Sequence, residues 1–203
     1  EERIQRVGNV MIDSLFNNLE RSKNSTIHSD LKIEKGNYGV LTLHRPSNVD
    51  DEQVFTGIIR ALEEIGSRIP LVFPLHPRTK NRADEFGLTK RLAAIPHIVL
   101  TGPAGYLDFI SLMADAKIVL TDSGGLQEET TALGIPCLTL RENTERPITV
   151  TEGTNTIVGN STDIILEAAN DILDHGGKAG RIPDLWDGHT AERIADIIED
   201  TIS

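Results

Sequence analysis

At 203 residues the chain is long enough for one well-buried α/β domain or two small ones. Its 31 acidic against 20 basic residues leave a formal charge of -11 and a pI near 5.0, which argues against a nucleic-acid or anionic-membrane surface, since either wants a basic face. The single cysteine excludes a disulfide within the chain, and no apolar run is long enough to span a bilayer.

Taken in order, residues 1–19 place Ile4, Val7, Met11, Ile12, Leu15, Phe16 and Leu19 on a helical stripe that Gly8 and Asn9 interrupt. Residues 22–37 are polar and read as a linker. Residues 38–43 form a strand that delivers His44, Arg45, Pro46, Ser47 and Asn48 to its carboxyl end. An amphipathic helix over 50–66 puts Val54, Ile58, Leu62 and Ile65 on one face. A strand over 71–75 ends in His76-Pro77-Arg78, and a helix over 80–94 is broken at Gly87. A strand at 98–100 and a helix at 106–114 follow.

The richest stretch comes next. Residues 117–120 are a strand, Asp122 to Gly125 a turn, 126–133 a helix stopped by Gly134-Ile135-Pro136, and 137–140 a further strand, in which Cys137 reads as a core residue of a reducing compartment. A short strand at 155–158, a helix at 161–173 capped by Ser161 or Thr162, a loop at 176–188 holding Trp186 and a closing helix at 190–202 complete the chain. Strands alternating with helices demand a parallel sheet with right-handed crossovers, so the expected fold is a doubly wound, Rossmann-like α/β domain. No repeat or low-complexity tract interrupts it.

Chemistry concentrates around Ser123-Gly124-Gly125. The first turn of the following helix has free backbone N–H groups and the positive end of the helix dipole, and two residues without Cβ let a phosphate come close. An isolated Ser-Gly-Gly serves equally well as a plain cap and turn. Its company favours a ligand. Glu128 and Glu129 follow in the same helix, where a carboxylate can accept from both ribose hydroxyls. Arg141, Glu142, Glu145 and Arg146 crowd the loop after the next strand, and an arginine there suits a diphosphate. His44 lies at a strand's carboxyl end, where an imidazole can face a ligand, although such a histidine on its own is more often a surface or capping residue. His76 is weaker, because its His-Pro turn can exist for geometry alone. Tyr106 reads equally as an ordinary helix residue. His28, His97, His175 and His189 lack ligand spacing with Cys, Asp or Glu, so no metal site is expected.

Asp122 to Glu129 (DSGGLQEE), Leu133 to Pro136 (LGIP) and Arg141 to Pro147 (RENTERP) resemble the non-hydrolysing UDP-N-acetylglucosamine 2-epimerases. Thr42-Leu43-His44-Arg45 with Asn48 resembles that family's T-x-H-R-x-x-N segment, and Gly153-Thr154-Asn155 with Gly159 its G-T-N-x-x-x-G segment. The stretch from Arg6 to Asp13 resembles the G-N-x-x-I-D segment in the middle of the family, which implies an N-terminal domain outside this chain.

The resemblance implies the C-terminal half of a glycosyltransferase-B-like fold: residues 1–203 as a single UDP-binding domain, 1–20 a helix arriving from the inter-domain region and 189–203 a closing helix. It implies Ser123, Gly124, Gly125 and Arg146 on the diphosphate, Glu129 on the ribose, the Tyr106 backbone on the uracil, and His44 as the catalytic residue of this half. Arg45 and His76 match positions of a regulatory nucleotide-sugar site in the bacterial enzymes, but Pro46-Ser47 replaces their usual Arg-Glu. No cofactor is implied, and the full-length protein is expected to be a cytoplasmic homodimer. A glycosyltransferase of the same architecture, a non-catalytic nucleotide-sugar-binding module and a hydrolysing epimerase remain as rival readings.

Overall fold

In a computed structural model, residues 4–202 are described. Short β-branched and leucine-rich runs form six strands: β1 (Gly39–Thr42), β2 (Leu71–Pro74), β3 (Ile98–Thr101), β4 (Ile118–Thr121), β5 (Cys137–Thr139) and β6 (Asn155–Ile157). All pair in parallel, in the order β3-β2-β1-β4-β5-β6. The chain therefore builds outward from β1 to β3, then returns to lay β4 against the other side of β1.

Alternation along each strand sends side chains to opposite faces of the sheet. Leu41, Leu71, Phe73, Ile118, Leu120 and Leu138 pack on one face with α4 (Glu52–Arg68) and α10 (Thr162–His175). Val40, Val72 and Val119 pack on the other with α1 (Val10–Ser22), α7 (Tyr106–Ala114) and α8 (Gly124–Leu133). Cys137 is wholly buried between these layers, and burial pushes its thiol up to about 12. Both faces are covered, as an all-parallel sheet requires.

Several elements depart from the sequence expectation. Helix α1 begins only at Val10, with the Asn9 side chain accepting from Met11 N; Gly8 before it has φ of 112°, and a Cβ there would lie 2.3 Å from the Leu185 carbonyl oxygen. The stripe at Ile4 and Val7 is thus outside the helix, and residues 1–3 lie outside the described part. The expected linker holds α2 (Ile27–Leu31), because His28 is buried against Tyr38, its Nε2 2.9 Å from the phenol oxygen. Pro46 and Pro147 start two short helices not expected, α3 (Pro46–Val49) and α9 (Pro147–Thr151), since a proline at the first helical position costs no hydrogen bond. The helix expected over 80–94 is two, α5 (Pro77–Glu85) and α6 (Thr89–Ala93), separated where Gly87 takes φ of 68°. Ser161 occupies the cap position of α10, but its hydroxyl makes no capping bond.

The closing helix α11 (Thr190–Ile202) takes its cap from the opposite end of the chain. Asp13 in α1 accepts from Thr190 N (3.1 Å) and Ala191 N (2.7 Å). Burial alone would raise its carboxyl, but these bonds outweigh it and hold Asp13 below the usual range. Among the described residues no helix is long and apolar enough to cross a membrane. Asp13→Ala is expected to lower stability by about 1–2 kcal/mol and to speed hydrogen exchange in the first turn of α11. Unchanged exchange there would show that the helix does not depend on this cap.

Candidate functional site

The reversal of strand order between the parallel neighbours β1 and β4 opens a crevice at their carboxyl ends, since the segments that leave them pack on opposite faces of the sheet. Thr42 and Thr121 are register partners there, their hydroxyls 2.6 Å apart. Immediately beyond, Asp122 has no exposed surface, yet its carboxylate is fully occupied. It accepts from His44 N (2.9 Å), Arg45 N (2.8 Å) and Asn48 Nδ2 (3.2 Å), and His44 Nδ1 lies 2.7 Å from Oδ1. Burial works to raise this carboxyl, but the His44 ring and the two backbone N–H groups prevail and keep it ionised below the usual range. Asn48 also donates to the Leu140 carbonyl at 2.8 Å, joining the same knot to the end of β5.

Beside this knot stands the amino end of α8. Ser123 is at its cap position with extended backbone (φ -85°, ψ 133°), and its hydroxyl makes no capping bond. A Cβ on Gly125 would meet nothing within 4 Å, and one on Gly124 only the Glu145 carboxylate at 3.9 Å. Packing therefore does not explain these two glycines. What they leave is an open helix end, with N–H groups and a hydroxyl available to an anion.

Adjacent glutamates in α8 have opposite environments. Glu128 is engaged by Asn9 Nδ2 at 2.9 Å and Arg146 Nε at 3.0 Å. Glu129 is equally buried but has no hydrogen bond or ion pair among the described residues; burial, with the Glu128 charge beside it, pushes its carboxyl up to about 7. Tyr106, half-exposed at the start of α7, lies within the field of Glu129, and burial together with that charge raises its phenol.

A buried polar network sets the loop that carries Arg146. Gln127 Oε1 accepts from Thr144 Oγ1 (2.5 Å) and Asn155 Nδ2 (3.2 Å); Asn155 also donates to Thr149 Oγ1 (3.0 Å) and accepts from Thr139 Oγ1 (2.6 Å). Arg141 is spanned by Glu145 at 2.6 and 2.9 Å, an ion pair that holds Glu145 down to about 2.

The structure thus gathers His44, Ser123, Gly124, Gly125, Glu129 and Arg146 along one edge, with Tyr106 beside Glu129. Arg146 is paired with Glu128, where the sequence suggests an arginine facing a diphosphate. His76 stands 5.5 Å from His44 between ring centroids, but it also has a structural task, its Nδ1 accepting from Arg78 N at 3.1 Å as the cap of α5. Arg45 lines a neighbouring cleft of about 410 Å³ with Asn48, Arg141 and Asn143. The sequence reading places Asp122 in a turn, as the first residue of the DSGGLQEE stretch; its contact with His44 has no local signal, because the two lie 78 residues apart in the chain. Asn9, read as a helix breaker, is in fact a helix cap and a partner of Glu128.

The sequence profile of the family described as UDP-N-acetylglucosamine 2-epimerase matches residues 1–199. The chain belongs to that family. It is 37% identical to the UDP-N-acetylglucosamine 2-epimerase of Methanocaldococcus jannaschii over 98% of its own length and 55% of that protein's. The crystal structure of the M. jannaschii epimerase in complex with UDP-GlcNAc and UDP superposes with a TM-score of 0.86 at 36% identity, over 98% of this chain and 55% of that one. A UDP-2,3-diacetamido-2,3-dideoxy-D-glucuronate 2-epimerase of Pseudomonas aeruginosa is 40% identical, over 84% of this chain and 46% of its own. This epimerase-family chain therefore spans about half the length of the curated relatives it matches.

The raised carboxyl of Glu129 has a consequence for stability. Unfolded, this group ionises near the ordinary glutamate value of 4.5; folded, it ionises near 7, so the native state binds more protons between the two and stability falls as pH rises through that window. Glu129→Gln removes this penalty. Relative to the unsubstituted chain, its Tm is expected to rise more at about pH 8 than at about pH 4, above and below that window. An equal Tm difference at both pH values would mean that Glu129 titrates normally.

Proposed function

We propose that this chain is the UDP-binding half of a UDP-N-acetylglucosamine 2-epimerase, interconverting UDP-N-acetylglucosamine and its manno epimer. The observation that carries the reading is the open amino end of α8: Ser123 with a free hydroxyl, two glycines that close packing does not require, and an unpaired buried carboxylate at Glu129 one turn on. In this reading the α8 N–H groups and Ser123 hold the diphosphate, Arg146 turns from Glu128 to the same phosphates, Glu129 accepts from the ribose hydroxyls, and the Tyr106 backbone meets the uracil. His44 faces the sugar.

The reaction is an elimination followed by re-addition. A proton leaves C2, the C1–O bond breaks with its electron pair passing to the β-phosphate oxygen of UDP, and a C1–C2 double bond forms. A proton delivered to the other face of C2 and return of the phosphate oxygen to C1 then give the epimer. The helix end and Arg146 stabilise the charge on the leaving diphosphate. The resemblance implies that the carboxylates for proton transfer belong to a second, N-terminal domain closing the crevice, so this chain alone is expected to bind UDP and not to epimerise. Arg45 and His76, near this crevice, belong to a regulatory nucleotide-sugar contact in the same reading. We further propose a cytoplasmic setting and a homodimer for the full-length protein. A second reading, an epimerase for UDP-2,3-diacetamido-glucuronate, is favoured by the 40% identity to the Pseudomonas aeruginosa enzyme and would use the same UDP half.

Calorimetric titration with UDP tests the reading. The double variant Ser123→Ala/Arg146→Ala removes charge-assisted contacts worth roughly 1.5–3 kcal/mol each, so binding seen in the unsubstituted chain is expected to vanish. Equal affinity in both would put the nucleotide elsewhere, and turnover by this chain alone would contradict the missing-domain assignment.

A further inference from the structure

We infer that Asp122 is a positioning residue that fixes His44 as its Nδ1–H tautomer and so leaves Nε2 as the ring nitrogen free for chemistry. The geometry allows little else. An ionised carboxylate only accepts hydrogen bonds, and Asp122 Oδ1 lies 2.7 Å from His44 Nδ1, so that nitrogen carries the hydrogen. The carboxylate itself cannot turn away: it is wholly buried and held by His44 N, Arg45 N and Asn48 Nδ2, three donors from the segment that follows β1. The ring is also bounded by a small pocket of about 180 Å³ whose lining includes Thr42, His76 and Pro103, with His76 as the nearest second imidazole at 5.5 Å between centroids. Fixing a ring by a carboxylate at one nitrogen prepares the other to take or give a proton with no reorientation.

Asp122 thus joins two jobs. Its backbone begins the turn that presents Ser123 and α8, and its side chain holds the histidine delivered by β1. Pairing at residues 44 and 122 sets the distance between the proposed phosphate site and the imidazole, independently of any ligand. The role of Nε2 toward a sugar rests on the epimerase reading above; the tautomer does not.

Nitrogen-15 NMR of the histidine-labelled chain at about pH 8, above the ordinary imidazole range, tests the inference directly. His44 is expected to show a protonated Nδ1 and an unprotonated Nε2. The opposite tautomer, or a mixture averaging the two, would overturn the assignment, and this measurement needs no variant. Asp122→Asn keeps an acceptor for the backbone N–H groups but offers the ring an N–H donor, so the population is expected to move to the Nε2–H form. A folded Asp122→Asn chain with its tautomer unchanged would also overturn the assignment. In the complete enzyme the same variant is expected to lower kcat by at least about tenfold with little change in KM, the signature of an interaction made mainly in the transition state; a comparable rise in KM with kcat unchanged would assign Asp122 to binding instead. UDP affinity of the chain, set at α8, separates the two ideas: the expected tautomer without UDP binding supports the dyad while removing the nucleotide reading.

Discussion

A buried charge at the switch point of the sheet is the constraint on which this structure depends. Asp122 is removed from water entirely, and an unpaired carboxylate there would be neutralised or would unfold the site. It stays ionised because the segment after β1 folds back over it with two backbone N–H groups, an amide and an imidazole. That need dictates the path of residues 44–48, the tilt of His44 and, through Asn48 and the Leu140 carbonyl, the position of the end of β5. Three strand ends are thereby tied to one side chain.

A second layer of fixed polarity supports the other wall of the crevice. Gln127, Thr139, Thr149 and Asn155 satisfy one another where apolar residues would otherwise stand, and each donor and acceptor named is directional. A core of leucines would hold α8, β5, β6 and α9 together as firmly, but it would not fix the loop from Arg141 to Arg146 to within a hydrogen-bond length. The same helix separates two chemically identical side chains into two states. Glu128 is compensated by Arg146 and Asn9, whereas Glu129 is left alone in a dry setting and takes the higher proton affinity. A carboxylate without internal partners beside an uncapped helix end is costly to keep, which is the physical ground for assigning it an external partner.

Family membership and geometry bear on different questions. The match over residues 1–199 establishes the family, and in the Methanocaldococcus jannaschii epimerase of known structure the matching region is 55% of the chain. Neither selects the sugar, since relatives at 37% and 40% identity carry the names of epimerases with different substrates. The residues that meet UDP in our reading all come from this chain.

Local chemistry made much of this legible in advance. Strand–helix alternation announced a parallel sheet; Gly134 stopped α8 with φ of 72° where the sequence said it would; and the closing helix spans 190–202 as expected. These features depend on interactions within a turn or two of chain, and such information is written in consecutive residues. The order of the strands, the cap that Asp13 supplies to a helix 177 residues away and the contact of His44 with a carboxylate 78 residues away are decided only when distant segments pack. Periodicity is likewise silent on which of Glu128 and Glu129 is neutralised, because both sit in one helix and differ only in what the fold brings opposite them. The sequence by itself determined the elements and the residue types at their ends; the tertiary structure decided which of those residues share a dry crevice, since burial and partner charge are properties of the packed chain and not of any segment.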